Sequence, residues 1–199
     1  MNEMRALMPW RKTGGWAIAG LVLLAGIAAS ACSSPAATSP GSTAPSHGTP
    51  AQLINTGLAA LNAGNDQAAR TDFEKVLSTD PDNKAGDNKI AFFDIGVIDQ
   101  QQGNVANSEA DYHNALKLDP NYDLALYNLA VEEAVANPLE AISLYRQVVA
   151  SEPNYVAAVY NLGLLLYQNG QVAEGQTYLT RALKADPSYQ KLLPAGVTP

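Results

Sequence analysis

Residues 156–187 read VAAVYNLGLLLYQNGQVAEGQTYLTRALKADP and close on Asp186-Pro187. The same ending recurs at Asp80-Pro81, Asp119-Pro120 and Glu152-Pro153, so successive prolines lie 39, 33 and 34 residues apart. A period in the thirties marks a stacked repeat. Counting back from each proline aligns the rest. A small residue and a loop glycine recur seven apart at Gly57/Gly64, Gly96/Gly103 and Gly163/Gly170. The third unit keeps Ala130, places Asn137-Pro138 at the loop and is one residue shorter. Further on come Ala69/Phe73, Ser108/Tyr112, Ala141/Tyr145 and Gly175/Leu179.

The features Tyr160-Asn161-Leu162-Gly163, Gly170, Glu174, Ala182 and Asp186-Pro187 make the quoted stretch resemble a tetratricopeptide repeat. The resemblance implies an all-α chain: a right-handed α-solenoid of four helix-turn-helix units over residues 50–188. The units fall at about 50–83, 89–122, 123–155 and 156–188, with a short tail at 189–199. It also implies that the first helix of each unit lines a groove holding an extended peptide or a helix. The residues carried onto that groove are Ile54, Leu58, Leu61, Phe93, Val97, Tyr127, Val131, Tyr160, Leu164 and Tyr167. Asn55, Asn128 and Asn161 lie beside them as hydrogen-bonding candidates. The groove positions contain no Lys or Arg, which argues against the family's cationic clamp for a C-terminal carboxylate.

Local chemistry sets further expectations. Thr49-Pro50 reads as an N-cap followed by proline in the first turn. Asn137-Pro138 reads the same way. The small residues let paired helices approach, while Phe73, Tyr112, Tyr145 and Leu179 are expected to fill the space between units. Residues 82–88 read as a polar surface insertion. Asp99 and Glu133 stand where a bulky residue is usual and are expected to reach solvent, since an unpaired buried carboxylate is costly. Tyr189, Leu192 and Leu193 are expected to fold over the last helix pair as a minimal cap. An apolar groove four units long exceeds what a monomer normally leaves to water. A partner segment, a second copy or the chain's own ends should cover it.

Ahead of the repeats, Arg5, Arg11 and Lys12 precede an apolar stretch from Gly14 to Ala29 and then Ser30-Ala31-Cys32. This is the pattern of an export signal over residues 1–31. Ala29-Ser30-Ala31-Cys32 resembles a bacterial lipobox with Cys32 as the lipid-attachment residue, although Ala29 stands where leucine is preferred. Cleavage to a secreted form and retention as an uncleaved membrane helix stay open. Residues 32–49 are Ser-, Thr-, Pro-, Ala- and Gly-rich and lack Leu, Ile, Val and aromatics. They are expected to form a disordered tether, spanning roughly 24 Å as a coil or roughly 55 Å as extended polyproline.

Without Arg5, Arg11, Lys12 and Glu3, 9 basic and 18 acidic side chains remain. That balance argues against nucleic acid as a partner. The single cysteine excludes an internal disulfide framework. His113 is the only histidine after residue 47, so neither a Ser/His/Asp set nor a metal cluster is visible. No cofactor and no catalytic residue is expected. The reading is a cell-envelope scaffold on the extracytoplasmic face of the membrane, held by an N-terminal lipid or helix, that binds a protein or peptide. The alternatives are a self-assembling structural protein (a homo-oligomer) and a non-catalytic accessory subunit of an envelope enzyme or secretion complex.

Overall fold

The computed structural model describes residues 48–199. The expected leader, Cys32 and most of the tether lie outside the described residues. Eight α-helices follow in order: α1 Pro50–Asn62, α2 Asp66–Thr79, α3 Asn88–Gln102, α4 Val105–Leu118, α5 Asp123–Ala136, α6 Pro138–Ser151, α7 Val156–Gln168 and α8 Val172–Ala185. A single 3-10 turn, Pro187–Leu192, ends the series. No strand occurs among the described residues. Each odd-numbered helix packs chiefly on the even-numbered helix that follows it, and each even-numbered helix then packs on the next hairpin. The result is an α-solenoid of four hairpins, in the phase the prolines set.

The helix boundaries follow from local chemistry. Thr49 forms a full capping box: its side chain accepts from Gln52 N–H, and the Gln52 side chain accepts from Thr49 N–H. Pro50 sits in the first turn, where its missing N–H costs nothing. Asn137 differs from expectation. It precedes α6 but its side chain makes no cap hydrogen bond there; Nδ2 donates to the Glu133 carboxylate instead. Gly103 ends α3 with φ 79, the left-handed conformation a helix stop requires.

The small residues set the hairpin spacing. A Cβ added at Gly163 would lie 2.8 Å from the Leu179 backbone N and 3.0 Å from the Gly175 carbonyl. At Gly57 it would meet the Phe73 ring at 2.6 Å, and at Gly96 the Tyr112 ring at 2.8 Å. Phe73, Tyr112 and Leu179 therefore fill the gap within their own hairpins, which corrects the expectation that they fill the space between units. All three are fully buried.

The insertion at 82–88 is organised from one side chain. The Asp80 carboxylate accepts from Lys84 N–H at 2.9 Å and Ala85 N–H at 2.6 Å, and the Asp80 carbonyl accepts from Asn88 Nδ2 at 2.7 Å. The two backbone N–H groups, Ala85 first, hold the Asp80 carboxyl below the usual range.

The two pattern-breaking acids part company. Asp99 does not reach solvent. It is 3% exposed and pairs with Arg70 of α2 at 2.9 Å, and Asn104 Nδ2 donates to it at 3.0 Å. Glu133 is half-buried and held by Asn137. A third acid belongs beside them. Asp94 on α3 is 6% exposed, its Oδ2 has no hydrogen-bond partner, and burial pushes its carboxyl up to about 7.

Candidate docking groove

The ten residues that the family resemblance assigns to a groove lie on the odd-numbered helices α1, α3, α5 and α7. In the first hairpin Ile54 is buried at 7% exposure, Leu61 is half-buried and Leu58 is exposed. In the second and third, Phe93, Val97, Tyr127 and Val131 are all half-buried. In the fourth, Tyr160 and Leu164 fall to 3% and 8%, while Tyr167 stays half-buried. Ile54, Tyr160 and Leu164 are thus largely withdrawn from solvent, and only Leu58 of the ten is openly exposed.

Three tyrosines explain much of this. Tyr122, Tyr155 and Tyr189 each stand two residues after a unit-closing proline. Each lays its ring on the aromatic groove residue of the preceding hairpin. Tyr122 meets Phe93 edge-on at 5.4 Å, Tyr155 stacks on Tyr127 at 4.9 Å, and Tyr189 packs on Tyr160 at 4.9 Å. Such pairs add about 0.5–1.5 kcal/mol beyond the area they bury. The first junction has Asn83 at the matching place and forms no such pair. Phe93 and Tyr127 therefore clamp consecutive hairpins, and Tyr160 clamps the C-terminal tail onto the fourth. The Pro-x-Tyr spacing was the available signal for these clamps.

The asparagines do different work in different units. Asn161 Nδ2 donates to the Tyr127 hydroxyl at 3.2 Å and the Tyr145 hydroxyl at 3.3 Å, tying the last two hairpins together. Asn128 Nδ2 donates to the Leu124 carbonyl of its own helix at 3.1 Å. Asn55 is exposed. Asp94 occupies the same place in the second unit, one residue after the aromatic position. Where Asn161 finds two hydroxyls on the preceding hairpin, the matching residues before Asp94 are Ile54 and Phe73, which carry no polar side-chain atom.

Polar side chains secure the rim. Lys89 Nζ contacts the Asp119 carboxylate at 2.6 Å and lies 5.4 Å from the Tyr122 ring centre, a cation–π distance. Arg146 grips the exposed Glu174 with one nitrogen at 2.8 and 3.0 Å. On α4, burial first, and then Glu133 and Glu132, push the Glu109 carboxyl up. Among the described residues no group of three or more His, Cys, Asp or Glu side chains could hold a metal ion.

A stack of four consecutive helical hairpins defines an α-solenoid repeat protein. Family models of the tetratricopeptide repeat match residues 53–83 and 135–193. Over those residues the chain carries tetratricopeptide repeats. Its fold is similar to that of MamA from Desulfovibrio magneticus RS-1, with 20% identity, a TM-score of 0.60, and coverage of 72% of this chain and 78% of that one. It is similar also to a tetratricopeptide repeat protein from Parabacteroides merdae ATCC 43184, at 19% identity and a TM-score of 0.61. That match covers 72% of this chain and 56% of the longer relative. A thermophilic TPR protein of Thermus thermophilus aligns at 16% identity with a TM-score of 0.55, over 70% of this chain and 75% of that one. These likenesses establish the fold. No curated protein matches the chain significantly.

Proposed function

We propose that the chain is an extracytoplasmic, membrane-anchored scaffold that binds a protein or peptide along the inner wall of its second and third hairpins. The observation that carries this reading is the set Phe93, Val97, Tyr127 and Val131, apolar side chains that stay half-buried even where Tyr122 and Tyr155 pack on the two aromatics, with Leu58 and Leu124 exposed. The wall has no lysine or arginine at its facing positions, so it favours an apolar or aromatic segment over an acidic one.

The experiment follows from the clamps. Tyr127 clamps the third hairpin to the fourth and Tyr160 holds the tail, so the informative substitutions are Val97→Asp and Val131→Asp. Together they should lower capture of the physiological partner, identified by cross-linking in the native envelope, at least tenfold while leaving helical content unchanged. Undiminished capture would refute the groove. The anchoring half of the reading rests on Cys32 and the apolar stretch before it. Cys32→Ser should release the protein from membranes, and continued retention would favour an uncleaved helix.

A further inference from the structure

The last hairpin differs from the others because something covers its groove. Tyr189 packs on Tyr160 as Tyr122 and Tyr155 pack on their own predecessors. A fifth unit's first helix would begin there. Instead the chain makes one 3-10 turn and reaches Pro194, which cannot continue a helix. It then turns at residues 194–197, with Val197 N–H donating to the Pro194 carbonyl at 3.1 Å. The turn brings the Gly196 carbonyl to the Tyr167 hydroxyl at 3.2 Å, and Thr198 Oγ1 to Gln176 Nε2 at 3.2 Å.

The cover is thin and imperfect. Of residues 189–199 only Tyr189, Leu193, Pro194 and Val197 are even half-buried. Leu192 points an exposed side chain to solvent. The Tyr160 ring packs on Tyr189 of the tail, and its hydroxyl, on a residue only 3% exposed, is buried with no hydrogen-bond partner. A buried donor left unpaired carries the full cost of its lost hydration. The tail thus fills the site's apolar part and leaves its polar part unanswered.

We propose that residues 189–199 are a displaceable cover, and that the surface beneath them takes a partner's peptide segment bearing an aromatic residue, an aliphatic residue four positions on, and an acceptor for the Tyr160 hydroxyl. This rests on the groove reading above and extends it to the fourth hairpin. The aromatic takes the place of Tyr189 and the aliphatic that of Leu193. Tyr167 and Gln176 remain as donors that read the segment's carbonyl and hydroxyl groups. The acceptor is what the partner offers and the tail lacks, so exchange favours the partner.

The test uses the full chain and a fluorescein-labelled peptide of residues 188–199 as the probe. The peptide should bind the Tyr189→Ala chain at least tenfold more tightly than the unaltered chain, whose own tail competes. Leu193→Asp loosens the tail without touching the aromatic pair, so it should give the same result should Tyr189→Ala disturb the fold. Tyr160→Phe should slow amide exchange in residues 189–199, because no stranded hydroxyl then opposes the cover. Equal affinity for all chains, or no binding to either loosened chain, would overturn the proposal. Faster exchange in Tyr160→Phe would also overturn it. Concentration-dependent dimers of the unaltered chain that vanish in Tyr189→Ala would overturn it in favour of tails exchanged between copies. None of these failures touches the groove of the second and third hairpins, which the Val97 and Val131 substitutions test separately.

Discussion

Asp94→Asn is expected to stabilise the domain at pH 8 and to flatten its stability between pH 4 and pH 8. Burial holds the folded carboxyl at about 7, against an ordinary value of 3.8. The folded state therefore keeps its proton where the unfolded chain has lost it. Below about pH 4 both states are protonated and the residue costs nothing extra. As pH rises toward 7 the unfolded state ionises freely and the folded state cannot, so stability falls. Above pH 7 the full penalty is in place. At 1.36 kcal/mol per pH unit, the difference amounts to about 4 kcal/mol as an upper bound. Asparagine removes the charge and restores the residue that the other three units carry as Asn55, Asn128 and Asn161. Urea denaturation of both chains at pH 5 and pH 8 measures the effect. A wild-type minus variant difference that does not grow with pH would show that Asp94 is solvated.

Arg70→Ala is expected to act in the opposite direction, because it strands the second buried acid of the same helix. Asp99 pairs with Arg70 across the first junction at 2.9 Å, and its side chain is 5% exposed, against 21% for that of its partner. Removing one member of a buried pair costs about 3–5 kcal/mol. The partial exposure of Arg70 places the expected loss near the lower end, about 3 kcal/mol. The apolar double substitution Arg70→Met with Asp99→Leu should recover most of that loss, because it leaves neither member of the pair stranded and also removes the Asp99 charge that opposes ionisation of Asp111. Equilibrium unfolding of the three chains decides the matter. Near-wild-type stability of Arg70→Ala alone would show that water, not the arginine, satisfies Asp99.

These two acids show where the sequence could be read and where it could not. The proline period and the small residues seven before each loop glycine placed all four hairpins, because stacking and close approach demand particular residues at fixed spacing. The junctions were harder. Asp99 was expected in solvent because its neutralising arginine sits 29 residues earlier, in another unit, at a distance no repeat pattern displays. Asp94 was visible in principle, since aligning the units sets it against three asparagines. The groove residues were assigned by the face the family resemblance gives them, but a face says nothing about what the next unit lays upon it. Tyr122, Tyr155 and Tyr189 do that laying, and they turn Phe93, Tyr127 and Tyr160 from open lining into clasps. The tail reversal at residues 194–197 had a legible cause in Pro194 and Gly196, but its landing point beside Tyr167 depends on a tertiary contact.

The clasps also give the domain an optical signature of its own. Residues 48–199 contain no tryptophan, since Trp10 and Trp16 both precede them. Fixed, asymmetric aromatic pairs, Phe93–Tyr122 and Tyr127–Tyr155 between hairpins and Tyr160–Tyr189 at the tail, should dominate the near-ultraviolet circular dichroism. That band would report on the stacking of hairpins, while the far-ultraviolet band reports on the helices themselves. Loss of the first ahead of the second on heating would reveal hairpins that come apart before they melt.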